Sequence, residues 1–245
     1  MPLKESEAII LRSYSLGEAD RLVSFLSRTM GRMRGVAQGA RRPKSRFGST
    51  LELLSHVRIW FYERETRDLV RISQCELQES FLDVQSDYDS GLALGLVSEV
   101  TEFILPEKEA SDPAFRLLLL VARRIQRTRQ PLLPVTYFAL WTVKLGGWMP
   151  DLSRCSKCGR DLAAGAFASV IRPGMLCCGC RLPGFRSLSG ESILMARRMF
   201  QEKLEVFENG VEPRSLTALR DYMLDVIEHH AEKKLNTRKM LESRV

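Results

Sequence analysis

The hydropathy of this chain changes period near residue 80, and that change bounds the folds open to it. Before it, apolar and polar residues alternate in short runs with turn residues between them. After it, apolar residues recur three and four positions apart. One chain therefore has to build a small sheet first and a helical domain second, an α+β multidomain plan. Its 245 residues are enough for two cores.

The first 80 residues read as five strands. They are Ala8 to Tyr14, Arg21 to Thr29, Gly31 to Gln38, Leu53 to Glu63 and Leu69 to Leu77. In the fourth, Val57, Ile59 and Phe61 share one face. His56, Arg58, Trp60 and Tyr62 share the other. Turns fit at Ser15 to Asp20, at Thr29-Met30-Gly31 and between Arg64 and Asp68. Five short strands in this length point to a small barrel. The OB-fold is the commonest, with the SH3-like barrel left open by strand count alone.

Helical spacing then marks Ser86 to Leu105, with Asp87 as a cap, and Asp112 to about Thr128, with Pro113 in its first turn. It also marks Val135 to Leu145, a helix starting near Ser189, and Pro213 to about Lys234. Tyr137, Phe138 and Trp141 fall on the third helix as core residues. The expected domains are 1–80, a barrel, and 81–245, a helical domain with a small insert at 151–187.

Charge is concentrated in the barrel. From Arg21 to Leu51 there are eight basic residues and no acid: Arg21, Arg28, Arg32, Arg34, Arg41, Arg42, Lys44 and Arg46. The whole chain is +7 and this stretch is +8, so the rest is close to neutral, about −1. Local positive charge interleaved with strand-forming residues reads as a folded polyanion-binding face. Arg outnumbers Lys in it, and Arg makes forked phosphate contacts and stacks on bases. Trp60 and Tyr62 form an aromatic face that either stacks bases or covers the helical domain.

The insert carries Cys155-Ser156-Lys157-Cys158-Gly159, then Cys177-Cys178-Gly179-Cys180. Two C-x-x-C pairs, eighteen residues apart, have the spacing of a four-thiolate zinc site. Tight turns at Gly159 and Gly179 would bring each pair onto one ion, with a hairpin turning at Arg172-Pro173-Gly174 between them. Cys155, Cys158, Cys177 and Cys180 are the expected ligands and Cys178 a spare thiol. His56, His229 and His230 are the only histidines and none is near, so the site is expected to be closed and structural. Cys75, in an apolar strand, is expected in the core.

No phosphate-binding P-loop, dinucleotide fingerprint or Gly-x-Ser-x-Gly is present. The pairs Glu63/Glu65 and Glu107/Glu109 read as surface turns, and Asp20 as a turn or ion-pair residue. The expectation is a protein that is not an enzyme. The first residues lack a signal-peptide core and no run is long enough to span a membrane, so a cytoplasmic location with reduced thiols is expected.

Together these pieces resemble the RecO family of bacterial recombination mediators. The resemblance runs through Ala8-Ile9-Ile10-Leu11-Arg12, Gly17 to Val23, Gly31 to Ala37 and Gly39 to Arg46. It continues in the four-cysteine insert and the closing Leu241-Glu242-Ser243-Arg244. It implies an N-terminal OB-fold, a helical domain and a zinc module. It also implies binding of single- and double-stranded DNA and annealing of complementary strands. Work with RecR to load RecA onto strands coated by single-strand-binding protein follows too, with RecF as a further partner and association with the nucleoid. The basic residues carried over are Arg21, Arg32, Arg34, Arg41, Arg42, Lys44 and Arg46. The helical domain would hold the acidic tail of single-strand-binding protein, with Arg123, Arg124 and Arg127 chosen on charge alone. The alternative from another class is a zinc-ribbon adaptor for RNA or protein partners.

Overall fold

A computed structural model describes residues 2–64, 66, 68–172, 174–207 and 212–242. It divides into two compact units, 1–129 with 235–245, and 130–234.

The first unit is built on five strands: β1 (Leu3–Leu16), β2 (Asp20–Ser27), β3 (Gly31–Ala37), β4 (His56–Tyr62) and β5 (Val70–Glu79). They close into a barrel in the order β1-β2-β3-β5-β4. All contacts are antiparallel except a short parallel one, where Gly35, Val36 and Ala37 face Val70, Arg71 and Ile72. That parallel closure makes it an OB-type barrel and resolves the choice that strand counting left open. The inner face is apolar at every second residue. In β4, Val57, Ile59 and Phe61 are fully buried while Arg58 is exposed and Trp60 and Tyr62 are half-buried. Register shifts between Ile10 and Arg12, and between Trp60 and Phe61, supply the bends that closure requires.

Three helices complete this unit: α1 (Tyr88–Ile104), α2 (Asp112–Thr128) and, later in the chain, the short Asn236–Glu242. Asp87 caps α1 by accepting from the Ser90 N–H, and Ser111 caps α2. Ile9, Leu11 and Leu26 are as buried as the barrel core because helices pack on that side. The Ser98 hydroxyl of α1 donates to the Leu11 carbonyl at 2.7 Å, and Phe115 of α2 lies edge-on to His56. Gly31, at φ +76°, lets the segment after α1 run against β3. A Cβ there would stand 2.1 Å from the Glu109 carbonyl oxygen.

The second unit packs α3 (Leu132–Leu145), α4 (Gly190–Gln201) and α5 (Pro213–His230) with a three-stranded sheet. That sheet is β6 (Gly165–Ala168), β7 (Met175–Leu176) and β8 (Arg186–Ser189), in the order β7-β6-β8. Tyr137 and Phe138 are buried, and the half-buried Trp141 donates its indole N–H to the Met199 carbonyl at 3.1 Å. Ser189 ends β8 and caps α4.

The last helices differ from the sequence expectation. The helix expected through Lys234 stops at His230, and the chain turns through Glu232 at φ +51°. The seven-residue helix from Asn236 to Glu242, our α6, carries too few residues for a periodic signal. Its start is fixed instead by a residue 137 positions earlier. The Glu99 carboxylate accepts from the backbone N–H groups of Asn236 at 3.0 Å and Thr237 at 2.9 Å. Glu99 is 1% exposed, and Arg12 stands 3.7 Å away. Residues 65, 67 and 173, in two expected turns, and 243–244, in the closing motif, lie outside the described residues.

Burial raises the Glu99 pKa, but the hydrogen bonds from the start of α6, with Arg12, outweigh it and the net shift is downward. A carboxylate with a lowered folded pKa stabilises the fold at neutral pH and loses that contribution as pH falls through its folded value. Glu99→Gln is therefore expected to lower stability by about 2 kcal/mol at pH 7, the scale of a charge-assisted buried hydrogen bond. The gap should close below the usual 4.5. Urea unfolding between pH 3 and 7 checks this, and a gap independent of pH would exclude the ionic cap.

Candidate nucleic-acid interface and four-cysteine cluster

The basic stretch folds into two parts with different surroundings. Arg21, Arg32 and Arg34 stand on strands and meet acids or carbonyls. Arg21 reaches Glu52 at 3.4 Å and donates to the Ser13 hydroxyl. Arg32 donates to the Leu105 carbonyl at 2.8 Å and pairs with Glu107 at 3.2 Å, and Arg34 reaches the same Glu107 oxygen at 3.0 Å. Arg28 lies between Glu7 and Asp112.

Arg41, Arg42, Lys44 and Arg46 instead occupy the loop between β3 and β4, all exposed. Among the described residues, no carboxylate comes within ion-pair distance of any of the four. Arg41 donates to the Gly17 carbonyl at 2.8 Å, and Arg46 lies over the Phe47 ring. The loop is held at both ends. At its start, Gly39 N–H donates to the Asp20 carboxylate at 2.8 Å and Arg41 N–H to the Ala19 carbonyl at 2.9 Å. At its end, Phe47 and Leu51 are 1% exposed in the barrel core. Asp20, beside Arg21 in sequence, is thus a backbone acceptor that positions the loop.

Next to this loop is a groove of about 540 Å³ lined by Gln38, Arg46, Tyr62, Arg64, Leu69, Arg71 and Ser73. Tyr62 and Arg71 are direct cross-strand neighbours on β4 and β5. Tyr62 was expected from the sequence as a base-stacking candidate; Arg64 and Arg71 were not. Arg71 was findable, because it falls on the outward phase between buried Val70 and Ile72. Of the two expected aromatic residues, Tyr62 lines this groove. Trp60 is tied to Glu5 through its indole N–H at 3.0 Å.

One member of each acidic pair, Glu63 and Glu107, is a partner of cations. Glu63 contacts Lys4 at 2.7 Å and Lys108 at 3.1 Å, and hydrogen bonds from both hold its carboxyl below the usual range. The arginines picked on charge for the helical domain do not form an open patch. Arg123 is bound by Glu79 at 2.8 Å, and Arg124 is 8% exposed because it falls on the buried side of α2.

In the second unit the four Sγ atoms of Cys155, Cys158, Cys177 and Cys180 lie within 4.8 Å of one another. Four sulfurs at about 2.3 Å from one ion would stand about 3.8 Å apart, so modest tightening accommodates a metal. Two turns form the cluster. Gly159, at φ +71°, donates its N–H to the Cys155 carbonyl at 2.8 Å. Cys180 N–H donates to the Cys177 carbonyl through a single 3-10 turn, and Gly179 there does not need the left-handed conformation expected of it. Cys178 is exposed and outside the cluster.

The sulfurs cannot all ionise on their own. Burial raises the Cys155 pKa, but N–H groups of Cys177, Cys158 and Lys157 outweigh it and bring it down to about 6. Cys180 is pushed up to about 12, first by its contact with Cys158 and then by burial. A divalent cation removes that conflict. The donors are all thiolates, which suits a closed four-coordinate site without an open position for substrate. Cys75 is buried in the barrel, and burial pushes its thiol up to about 12. Among the described residues, no other group of three or more His, Cys, Asp or Glu is placed to hold a metal. None of the helices is long and apolar enough to cross a membrane, among the same residues.

Comparison with known proteins agrees along the whole chain. Residues 1–81 match the family model described as Recombination protein O N terminal, and residues 85–239 match Recombination protein O C terminal. The DNA repair protein RecO of Koribacter versatilis is 40% identical over 241 residues, 98% of each chain. That of Streptomyces avermitilis is 30% identical over 99% of this chain and 100% of its own. That of a Nocardioides species is 36% identical over 198 residues, 79% of this chain and 80% of its own. An OB-type barrel, a helical unit holding four clustered cysteines and these two full-length matches assign the chain to the RecO family of DNA repair proteins.

Proposed function

We propose that this chain is a recombination mediator without catalytic chemistry of its own. It binds single- and double-stranded DNA through the barrel, anneals complementary strands, and acts with RecR to load RecA onto strands coated by single-strand-binding protein. RecF is a further candidate partner, and the cytoplasmic nucleoid is the expected place of action. The observation that carries the reading is the cation set Arg42, Lys44 and Arg46, with Arg41 beside it, which meets no carboxylate among the described residues and stands on a loop anchored to the barrel at both ends.

A fixed cluster of cations neutralises backbone phosphates and releases their counterions, whatever the base sequence. Annealing follows from the same neutralisation, since two strands repel until one is held against positive charge. Arg21, Arg32 and Arg34 add to the field more weakly, because Glu52 and Glu107 already offset them. Such partly exposed pairs exchange readily for phosphate contacts. In the groove, Tyr62 offers a ring on which an unpaired base can stack while Arg46 and Arg71 meet its phosphates. A duplex, whose bases are already stacked, cannot use that ring.

Cys155, Cys158, Cys177 and Cys180 are proposed to hold one zinc ion. Its contribution is structural: bound thiolates join the two turns of a segment too small to bury a core of its own.

Three outcomes are expected. Replacing Arg42 and Arg46 together by Glu should weaken binding of every DNA sequence and lower the salt slope for single strands by about 1.4, at ~0.7 per phosphate contact. Tyr62→Ala should cost about 1–3 kcal/mol for single strands and little for duplex. Fluorescence anisotropy on both DNA forms across a salt series tests this reading, and unchanged slopes would remove the loop from the interface. For the metal, Cys158→Ser or chelation should lower the melting temperature and release zinc, while Cys178→Ser should keep both. Zinc retained by Cys158→Ser would contradict the ligand set.

A further inference from the structure

The four-cysteine module carries an excess of positive charge. Between residues 151 and 187 there are six Lys or Arg and two Asp. Arg154, Lys157, Arg160, Arg172 and Arg181 are all exposed. Among the described residues, no carboxylate lies within ion-pair distance of any of them. Two other arginines of the same unit do meet acids: Arg186 with Asp225 at 2.7 Å, and Arg198 with Glu202 at 2.9 Å. Five of the six cations of the module thus have no such acid among the described residues, and Arg186 is the sixth.

The fold brings these cations together. Lys157 sits inside the first cysteine turn and Arg160 just after it. Arg181 follows the second turn, and the two turns meet through sulfurs within 4.8 Å. The Arg160 guanidinium lies against Gly179, 3.8 Å from where a Cβ would stand. Arg172 is next but one to Gly174, which packs against Ser156 of the first turn. Arg181 stacks over the Phe167 ring. Four of the five are Arg, held by short turns and not on a free tail.

We propose that this face of the cysteine module is a second DNA-binding surface, one that takes the phosphate backbone. It extends the DNA reading of the barrel, which it presupposes. A protein with one basic face on each of two compact units can engage two segments of DNA, or two strands, at once. Arg makes forked, two-bond contacts with phosphate, and four of the five cations are Arg. The competing role for the same cations is to offset the negative charge of four metal-bound thiolates.

The experiment compares the full-length protein with two triple variants. One is Lys157→Gln, Arg160→Gln and Arg181→Gln in the module. The other is Arg42→Gln, Lys44→Gln and Arg46→Gln in the barrel. Each is measured for zinc content, melting temperature, salt dependence of single-strand binding, and annealing rate. The module variant is expected to keep its zinc and melting temperature. Its salt slope should fall by about 2, at ~0.7 for each of three contacts, and its annealing should slow. If it loses zinc but keeps its slope, the cations serve the thiolates and the proposal is wrong. If its slope and annealing are unchanged while the barrel variant loses both, the proposal is overturned and the barrel reading stands. If neither variant changes either quantity, both readings fall. The Arg154→Gln and Arg172→Gln pair repeats the test should the triple variant not fold.

Discussion

Phe47 is buried in the barrel core while Arg46, one residue earlier, is exposed. That anchorage decides where the positive charge of this protein stands. An eighteen-residue connection between β3 and β4 would otherwise carry its cations on a mobile tether, at an entropic cost to every contact they make. Instead the ring fills the barrel and Leu51 follows it. The four cations between Gly39 and Phe47 are confined to one short arc. Asp20 fixes the other end through the Gly39 N–H. The hydrophobic effect, acting on one aromatic side chain, thereby arranges an electrostatic surface.

The distribution of acids completes that arrangement. Glu7 and Glu52 of the barrel, and Glu107 and Asp112 from the segments beyond it, stand beside Arg28, Arg21, Arg32 and Arg34. None stands beside Arg42, Lys44 or Arg46. Self-pairing therefore serves the fold at the strand cations, and the loop cations keep their field. The same division recurs at smaller scale in the cysteine module, where Arg186 is paired and the residues around the sulfurs are not.

Much of this was legible in the sequence, for physical reasons that differ by region. The alternation Val57, Ile59, Phe61 fixes the inner face of β4 because a strand side chain has only two directions to point. Asp87, Pro113 and Ser189 mark helix starts because each satisfies or avoids a terminal N–H. The C-x-x-C pairs are local, so their turns could be inferred, although Gly179 proved unnecessary as a left-handed residue. What was missed is long-range. The α6 helix starts where it does because of Glu99, and no local pattern announces that. Arg64 and Arg71 join Arg46 and Tyr62 only once β4 and β5 pair. Arg124 looked available by charge, but the buried side of α2 takes it. Sequence patterns report periodicity and chain neighbours; which acid neutralises which cation is decided by closure of the barrel.

The central claim is that an anchored, unpaired basic loop lets the protein bring complementary strands together without chemistry. The most direct measurement is the annealing rate of two complementary labelled oligonucleotides, bare and coated with single-strand-binding protein, over one salt series. The account predicts acceleration over the spontaneous rate that fades as salt rises, on both bare and coated strands. No acceleration by folded, zinc-loaded protein at low salt would contradict it.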